Sequence, residues 1–261
     1  MNGKGETVVS SEAARTPRAG TRVCALMAFY NEMRYLPGWF ENVRDRVSAV
    51  VLLDDGSTDG GGAYAAAQAE TTVLLTTDPR TKAGWDEPGN RRRLITAGQE
   101  VGADWFLTID ADERLEDAFW DDLDGLLRWA GESGADAFKF RLREMWGSPT
   151  SFRSDGIWGL KTKLAFFRNA GAAHDYDDSA WHGEWVPMHY MQNERCRQVA
   201  YDLFHLKMIH EEDRAARRDR YKALDPNNEF QPIGYDYLTD ERGILITPLA
   251  PGQSYRGMPA A

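Results

Sequence analysis

The chain has 261 residues, a formal net charge of −10 and 42% hydrophobic residues. This length suits one large α/β domain or two small ones, and the apolar content is sufficient for a sizeable core. The acidic balance argues against nucleic acid as a partner, because such binders present a basic surface. It does not exclude a phosphorylated ligand, since a bound metal inverts the local field.

Features that would direct the chain to a membrane or an oxidising compartment are missing from the sequence. No apolar run approaches the roughly 18 residues of a transmembrane helix, and the N-terminus lacks the apolar stretch of a signal peptide. Cys24 and Cys196 do not require a disulfide. We therefore expect a cytoplasmic protein without a transmembrane segment.

The first predicted elements alternate between strand and helix. Residues 1–20 are small and polar, which predicts a disordered leader. The apolar run 22–29 predicts a buried strand, and the apolar spacing over 33–42 predicts a helix. A second apolar run, 48–53, stops at the acidic, glycine-rich turn 54–60.

The alternation continues to residue 131. The alanine-rich segment 63–69 and the strand 72–76 complete a βαβ unit. Prolines and glycines in 78–90 predict a loop, followed by a helix to Glu100 and a short apolar strand at 105–109. Leucines and aromatic residues at helical spacing predict a further helix over 115–131. Such alternation indicates a mostly parallel sheet flanked by helices, here over residues 21–131.

The second half has a different character. Residues 132–224 contain predicted strands at 137–142 and 163–167, and a charged helix at 211–224. Tryptophans lie among glycines, prolines and serines in this half, at Trp146, Trp158, Trp181 and Trp185. They suit a loop-rich surface for a sugar or an apolar acceptor, or alternatively a core. Residues 225–261 are predicted to be an irregular tail.

Two carboxylates follow the strand at 105–109. Asp110 and Asp112 are two positions apart, so in an extended chain they point to the same side. Carboxylates at the end of a buried strand are costly to desolvate unless a cation lies beside them. The pair therefore suggests a divalent metal with a polyanionic ligand, and the alternative is that Asp112 and Glu113 cap the next helix.

A second acidic turn follows the strand at 48–53. Asp54 and Asp55 precede Gly56, which allows the backbone to approach a ligand closely. A carboxylate here can accept a hydrogen bond from the imide of a base such as uracil. The alternative is a solvated loop whose side chains cap the next helix. Both acidic turns follow strand ends, where ligands bind in parallel sheets.

These blocks resemble the family 2 glycosyltransferases with the GT-A fold. The resemblance lies in residues 26–32, 53–60 and 106–113, in that order and spacing. It implies a Rossmann-like sheet, a nucleotide-sugar donor, and Mn²⁺ or Mg²⁺ held through the Asp-x-Asp motif. One departure is Ala28-Phe29, where the family usually has proline followed by alanine or threonine.

The resemblance also implies roles for individual residues. The nucleoside pocket would be lined by Ala28, Tyr30 and Glu32, and Asp54 or Asp55 would meet the base. Asp110 would approach the ribose or the sugar of the donor, and Asp112 would bind the metal. Arg91 lies where the family often places a donor contact.

The second half should supply the remaining groups. An inverting transfer needs a base for the acceptor hydroxyl, and Glu184 between two tryptophans is the first candidate, with Asp177 and Asp178 as alternatives. In several GT-A enzymes a histidine beyond the acceptor region completes the metal shell. His205 is our candidate and His210 the weaker one, although a core histidine is also compatible with the sequence.

The sequence thus predicts a metal-dependent, inverting glycosyltransferase. The donor would be a UDP-, dTDP- or GDP-sugar, and the acceptor a soluble small molecule, saccharide or peptide. One alternative is a nucleotidylyltransferase, which would need a glycine-rich basic loop after the first strand, where the chain has Tyr30-Asn31-Glu32-Met33. The other is a non-catalytic module that binds a nucleotide sugar or a glycan.

Overall fold

The computed structural model describes residues 9–10, 20–78, 86–178, 183–191 and 195–259. The predicted disordered leader lies outside the described residues except for Gly20 and the two residues of β1 (Val9–Ser10). β1 is a short strand that pairs with residues 73 and 74, and the disorder expected for the leader stays a prediction.

The first part of the chain alternates as predicted. Its helices and strands, in chain order, are β2 (Val23–Phe29), α1 (Leu36–Val43), β3 (Ala49–Asp54), α2 (Gly61–Ala66), β4 (Thr71–Thr76), α3 (Glu87–Glu100), β5 (Trp105–Thr108), β6 (Glu113–Leu115) and α4 (Asp117–Ser133). The second part contributes β7 (Ala137–Glu144), β8 (Ser151–Arg153), β9 (Thr162–Arg168), β10 (Cys196–His205), α5 (Glu211–Leu224) and β11 (Ile246–Pro248).

One large sheet organises the described residues. Its strand order is β1-β4-β3-β2-β5-β9-β7-β10-β6. β4, β3, β2 and β5 are parallel to one another, as are β7 and β10, whereas β9 is antiparallel to both of its neighbours. The predicted α/β class, with a Rossmann-like and mostly parallel sheet, is confirmed. The carboxyl ends of β3, β2 and β5 therefore share one edge.

Helices cover both faces of the sheet. Alternate residues of β2 point to opposite sides, so Ala25 and Met27 join one apolar cluster and Leu26 joins the other. The first cluster includes aromatic residues of α1 and α4, and the second includes apolar residues of α3. Within the described residues, no helix has both the length and the apolar character needed to cross a bilayer.

The structure also differs from the sequence prediction: β6, β8, β10 and β11 were not predicted, and β6 takes the first residue of the helix expected over 115–131. The helix expected from Asn90 begins at Glu87, because Pro88 fits its first turn and the Asp86 side chain accepts the amide of Gly89. The loop expected over 78–90 thus ends at Asp86, and residues 79–85 lie outside the described part. Trp146 and Trp158 are buried against each other, so the alternative of core tryptophans holds for this pair.

Gly98 lies where α3 packs on β5. A Cβ atom there would lie 2.5 Å from a ring carbon of Phe106 and 3.1 Å from Leu26, both of which are buried. We expect Gly98→Ala to lower the free energy of unfolding by about 1–3 kcal/mol through overpacking, as measured by urea denaturation. The matched control is Gly131→Ala in α4, where a Cβ meets nothing and stability should rise by about 0.5–1 kcal/mol. Equal stability gains in both variants would contradict this packing.

Candidate active site

The pairing of three strands brings distant residues together at the acidic edge. β10 lies between β7 and β6, and its last residue, His205, is in register with Glu144 of β7 and Glu113 of β6. The amide of Leu206 donates to the carbonyl of Asp112 at 2.8 Å. Sheet register therefore places His205 beside Asp112, although 93 residues separate them.

A buried chain of side chains runs through this point. Nδ1 of His205 lies 2.6 Å from Oε2 of Glu144, and Nε2 lies 3.2 Å from Oδ2 of Asp112. Nζ of Lys161 donates to the other oxygen of Glu144 at 2.7 Å. Glu144 thus fixes the imidazole so that Nε2 faces Asp112.

Burial and pairing have opposite effects on these groups. Burial disfavours the charged form of His205, but Glu144 and Asp112 outweigh it and raise the pKa of the imidazole to about 10. Burial likewise opposes ionisation of the carboxyls, but His205 lowers the pKa of Glu144 to about 2 and holds the pKa of Asp112 well below its usual range. The stability gained at His205 is present below its ordinary pKa and is lost as pH rises through about 10.

These residues fit part of a divalent metal site. A carboxylate and an imidazole face each other, and a second carboxylate binds the other ring nitrogen, as is usual for metal-binding histidines. Among the described residues, no group of three or more His, Cys, Asp or Glu side chains forms a complete metal cage. Asp112 and His205 would therefore need substrate oxygens to complete the shell, which is common for Mg²⁺. Their roles as ligands stay predictions, as does that of His210 at the N-cap of α5.

Asp110 belongs to a neighbouring ion-pair cluster. Nζ of Lys163 donates to Asp110 at 2.8 Å and to Glu113 at 2.6 Å, and Glu113 also accepts the amide of Asp110 at 2.8 Å. Burial disfavours the ammonium charge, but the two carboxylates outweigh it and raise the pKa of Lys163. The cluster fixes the loop that carries both aspartates.

Lys207 connects the predicted nucleoside pocket to the predicted metal ligand. Its Nζ lies 2.9 and 3.1 Å from the two carboxylate oxygens of Glu32 and 4.0 Å from Oδ2 of Asp112. Burial raises the pKa of Glu32, against the opposing effect of Lys207. Glu32 and Asp112 thus lie on the same edge. Lys207 was not predicted from the sequence, because 175 residues separate it from Glu32.

The loops that follow β2 and β3 hold each other. Asn31 has a left-handed backbone with φ 56°, and its side-chain oxygen accepts the amide of Thr58 at 2.8 Å. The amide of Asn31 in turn donates to Oγ of Ser57 at 3.0 Å. Tyr30, directly after β2, is 45% exposed, and Ala28 is partly exposed near the end of that strand. The positions suit a nucleoside pocket, and the binding roles of both residues stay predictions.

Asp54 and Asp55 have different surroundings. Oδ1 of Asp54 accepts the amide of Ser57 at 2.8 Å, and Oδ2 occupies the space that a Cβ on Gly62 would need. Asp54 therefore organises the turn. Asp55 is buried directly beyond the strand, with its amide donating to the carbonyl of Phe29 at 2.9 Å. This division favours Asp55 over Asp54 as the residue that meets a base.

Arg91 is buried, and its guanidinium is bonded within the protein. Its guanidinium donates to Glu87 at 2.7 Å, to the carbonyl of Gly183 at 3.1 Å and to the carbonyl of Asp177 at 2.8 Å. A Cβ on Gly183 would collide with this guanidinium. Arg91 thus joins α3 to the segment that carries Glu184, and its predicted contact with the donor is untested.

Two of the three base candidates, Glu184 and Asp178, differ in exposure. Glu184 is half-buried, and burial raises the pKa of its carboxyl against the effect of Lys139. Its amide donates to Asp177 at 2.9 Å. Asp178 is exposed and forms an ion pair with Arg92. The flanking Trp181 and His182 lie outside the described residues. Of the two tryptophans predicted around Glu184, the structure therefore describes Trp185 alone.

Comparison with known proteins gives matches in structure only: no family model and no curated protein matches the chain. The crystal structure of S. aureus TarS 1-349 has 15% identity and a TM-score of 0.49, covering 84% of this chain and 69% of its own. Glucosyl-3-phosphoglycerate synthase from Mycobacterium tuberculosis, in complex with Mn²⁺, UDP and glucosyl-3-phosphoglycerate, has 16% identity, a TM-score of 0.47, and coverage of 72% and 73%.

A synthase of another kind is also among the similar structures. 4-Diphosphocytidyl-2C-methyl-D-erythritol synthase has 13% identity and a TM-score of 0.35, with coverage of 57% of this chain and 76% of its own. Similarity at these values does not extend to substrates.

The contacts of Arg91 predict its effect on stability. Arg91→Lys removes the planar fork that reaches two carbonyls and a carboxylate, so we expect a loss of about 1–3 kcal/mol in the free energy of unfolding. The control is Arg92→Lys at the adjacent, exposed ion pair, which should change stability by less than about 0.5 kcal/mol. Thermal and urea unfolding measure both, and equal effects at the two positions would contradict the role of Arg91.

Proposed function

We propose that this protein is a metal-dependent glycosyltransferase that moves a sugar from a UDP-, dTDP- or GDP-sugar to a hydroxyl group of an acceptor. The observation that supports this most is the chain of contacts from Glu32 through Lys207 to Asp112. A donor diphosphate links a nucleoside to a sugar, and here a lysine lies between the predicted nucleoside pocket and the predicted metal ligand. An ammonium in that position suits a phosphate group.

The proposed metal site divides its tasks among the described residues. Asp112 and His205 would hold Mn²⁺ or Mg²⁺, Glu144 orients His205, and the cation of Lys207 lies beside them. When bound, the metal supplies positive charge that neutralises a diphosphate leaving group. An imidazole ligand favours Mn²⁺ over Mg²⁺.

The acceptor would meet the segment around Glu184. An inverting transfer requires a base on the face opposite the leaving group, and a base works best when its pKa is near the working pH. Half-burial raises the pKa of Glu184 in that direction, whereas Asp178 is exposed and paired with Arg92. We therefore favour Glu184 as the base and expect a small-molecule, saccharide or peptide acceptor.

Asp112→Asn tests the metal assignment. The substitution removes a charged metal ligand, so we expect the Kd of UDP measured with Mn²⁺ to rise about 10–100-fold by calorimetry. Asp124→Asn, on the exposed side of α4, is the control and should leave the Kd unchanged. If UDP, GDP and dTDP with Mn²⁺ all fail to stabilise the wild-type protein in thermal unfolding, the proposed donor is wrong.

Glu184→Gln tests the base. We expect kcat to fall by about 10²–10⁴-fold while the Kd of the donor is kept, because the amide cannot accept a proton. In the wild type, kcat should rise with pH through a pKa above that of an ordinary glutamate, since the base acts in its ionised form. Asp178→Asn is measured in parallel. A larger loss of kcat in that variant would assign the base to Asp178 instead.

The alternatives predict different products in the same assays. A nucleotidylyltransferase would convert a nucleoside triphosphate and a sugar 1-phosphate into a nucleotide sugar and pyrophosphate. A non-catalytic module would bind the nucleotide without turnover. A glycosyltransferase forms a nucleoside diphosphate and a glycosylated acceptor.

A further inference from the structure

Residues 253–257, called here the C-terminal strap, cross the elements that carry the site. Ser254 exchanges two hydrogen bonds with the first residue of α4: its carbonyl accepts the amide of Asp117 at 2.8 Å and its Oγ donates to the Asp117 carboxylate at 2.7 Å. The side-chain amide of Gln253 donates to the Glu116 carboxylate at 2.8 Å and to the Asp202 carboxylate of β10 at 2.7 Å. The strap thus joins the chain after β6 to β10.

One end of the strap reaches the loop of Asp112 through Arg114. This arginine is 1% exposed and donates to the carbonyls of Ala111 at 2.8 Å and Glu113 at 2.7 Å, on either side of Asp112. It also donates to the carbonyls of Tyr35 at 2.8 Å and Gly257 at 3.2 Å. A buried guanidinium needs such partners, so the strap supplies part of the shell that fixes this loop.

The contact at Gly257 allows no side chain. The backbones of Gly257 and Gly38 are in direct contact, so a Cβ on Gly257 would collide with the carbonyl of Gly38. A Cβ on Gly38 would lie 2.5 Å from the carbonyl oxygen of Gly257 and 2.8 Å from Nη2 of Arg114. The close approach of the strap to α1 therefore depends on two glycines.

The middle of the strap supports the other predicted metal ligand. Tyr255 is buried and stacks on Phe204, with ring centroids 4.7 Å apart, and Phe204 directly precedes His205. The Tyr255 hydroxyl donates to the carbonyl of Pro149 at 2.7 Å. The same strap thus contacts a neighbour of His205 and, through Arg114, both neighbours of Asp112.

We propose that the C-terminal strap is a positioning element that sets the geometry between Asp112 and His205 for metal binding. This inference rests on the proposed function. Groups that orient metal ligands commonly change metal affinity when they are altered, without being ligands themselves. The strap acts on both ligands at once, so displacing it changes their separation and lowers the affinity for Mn²⁺.

Paired glycine variants test the proposal. Gly257→Ala and Gly38→Ala both push the strap from α1, and we expect each to raise the Kd of Mn²⁺ about 10–100-fold, measured by electron paramagnetic resonance well below the melting temperature. Gly38 does not have a positive φ, and alanine favours a helix more than glycine does, so Gly38→Ala adds no backbone strain of its own in α1. The control is Gly252→Ala, which has φ +83° and no neighbour for a Cβ, and should keep the wild-type Kd.

A second test uses only the wild-type protein, so it does not depend on whether a variant folds. Because coupling between two sites is reciprocal, Mn²⁺ binding must stabilise the strap if the strap favours Mn²⁺ binding. We expect Mn²⁺ to slow hydrogen exchange at the amide of Asp117, which donates to Ser254, and at the amides of 253–257. Unchanged exchange on Mn²⁺ binding, or a wild-type Kd in a folded Gly38→Ala or Gly257→Ala protein, overturns the proposal. If the wild type binds no Mn²⁺, the proposed metal site itself is wrong.

Discussion

Compensation of buried carboxylates governs the architecture of this site. Asp112, Glu113 and Glu144 are all nearly inaccessible to solvent, and an isolated carboxylate in such a place would cost several kcal/mol. Each is paired with a cation from the second half of the chain, namely His205, Lys163 or Lys161. Asp112 and Glu113, the two that belong to the first half, therefore depend on His205 and Lys163 of the second half for compensation of their charge.

This dependence explains why β9 and β10 carry charged residues at one end. Lys161 precedes β9, Lys163 lies near its start, and His205 ends β10. Strand register brings His205 opposite Glu113 and Glu144, since β10 lies between β7 and β6, whereas Lys161 and Lys163 reach Glu144 and Glu113 through their long side chains. The pairing of β10 with β7 and β6 thus supplies the histidine of this charge balance.

The parts that could be predicted from the sequence are those with a local signal. β2, β3 and β5 are continuous apolar runs, and the acidic turns that follow β3 and β5 are visible without a structure. β10 was not predicted because Arg197, Gln198 and Asp202 interrupt its apolar residues, and its pairing partners lie far away in the chain. Lys207 was missed for the same reason, since 175 residues separate it from Glu32.

Residue type alone was least informative where tertiary contacts decide the role. Trp146 and Trp158 could have lined an acceptor surface, but they pack together with Met208 in a small separate core. Arg91 was expected at the donor, which is still a prediction, and its described contacts also fix the segment before Glu184. In both cases the side chain is large and versatile, so its neighbours determine what it does.

The C-terminal residues support the same site by packing and by hydrogen bonds. The tail was expected to be irregular, and much of it lacks helix or strand, yet Gly257 and Tyr255 are buried against the elements that carry Asp112 and His205. Irregular backbone can be fixed as firmly as a strand when its carbonyls meet a buried guanidinium, as at Arg114. A local motif can therefore supply the reactive groups of such a site, while the precision of their placement comes from segments remote in the chain.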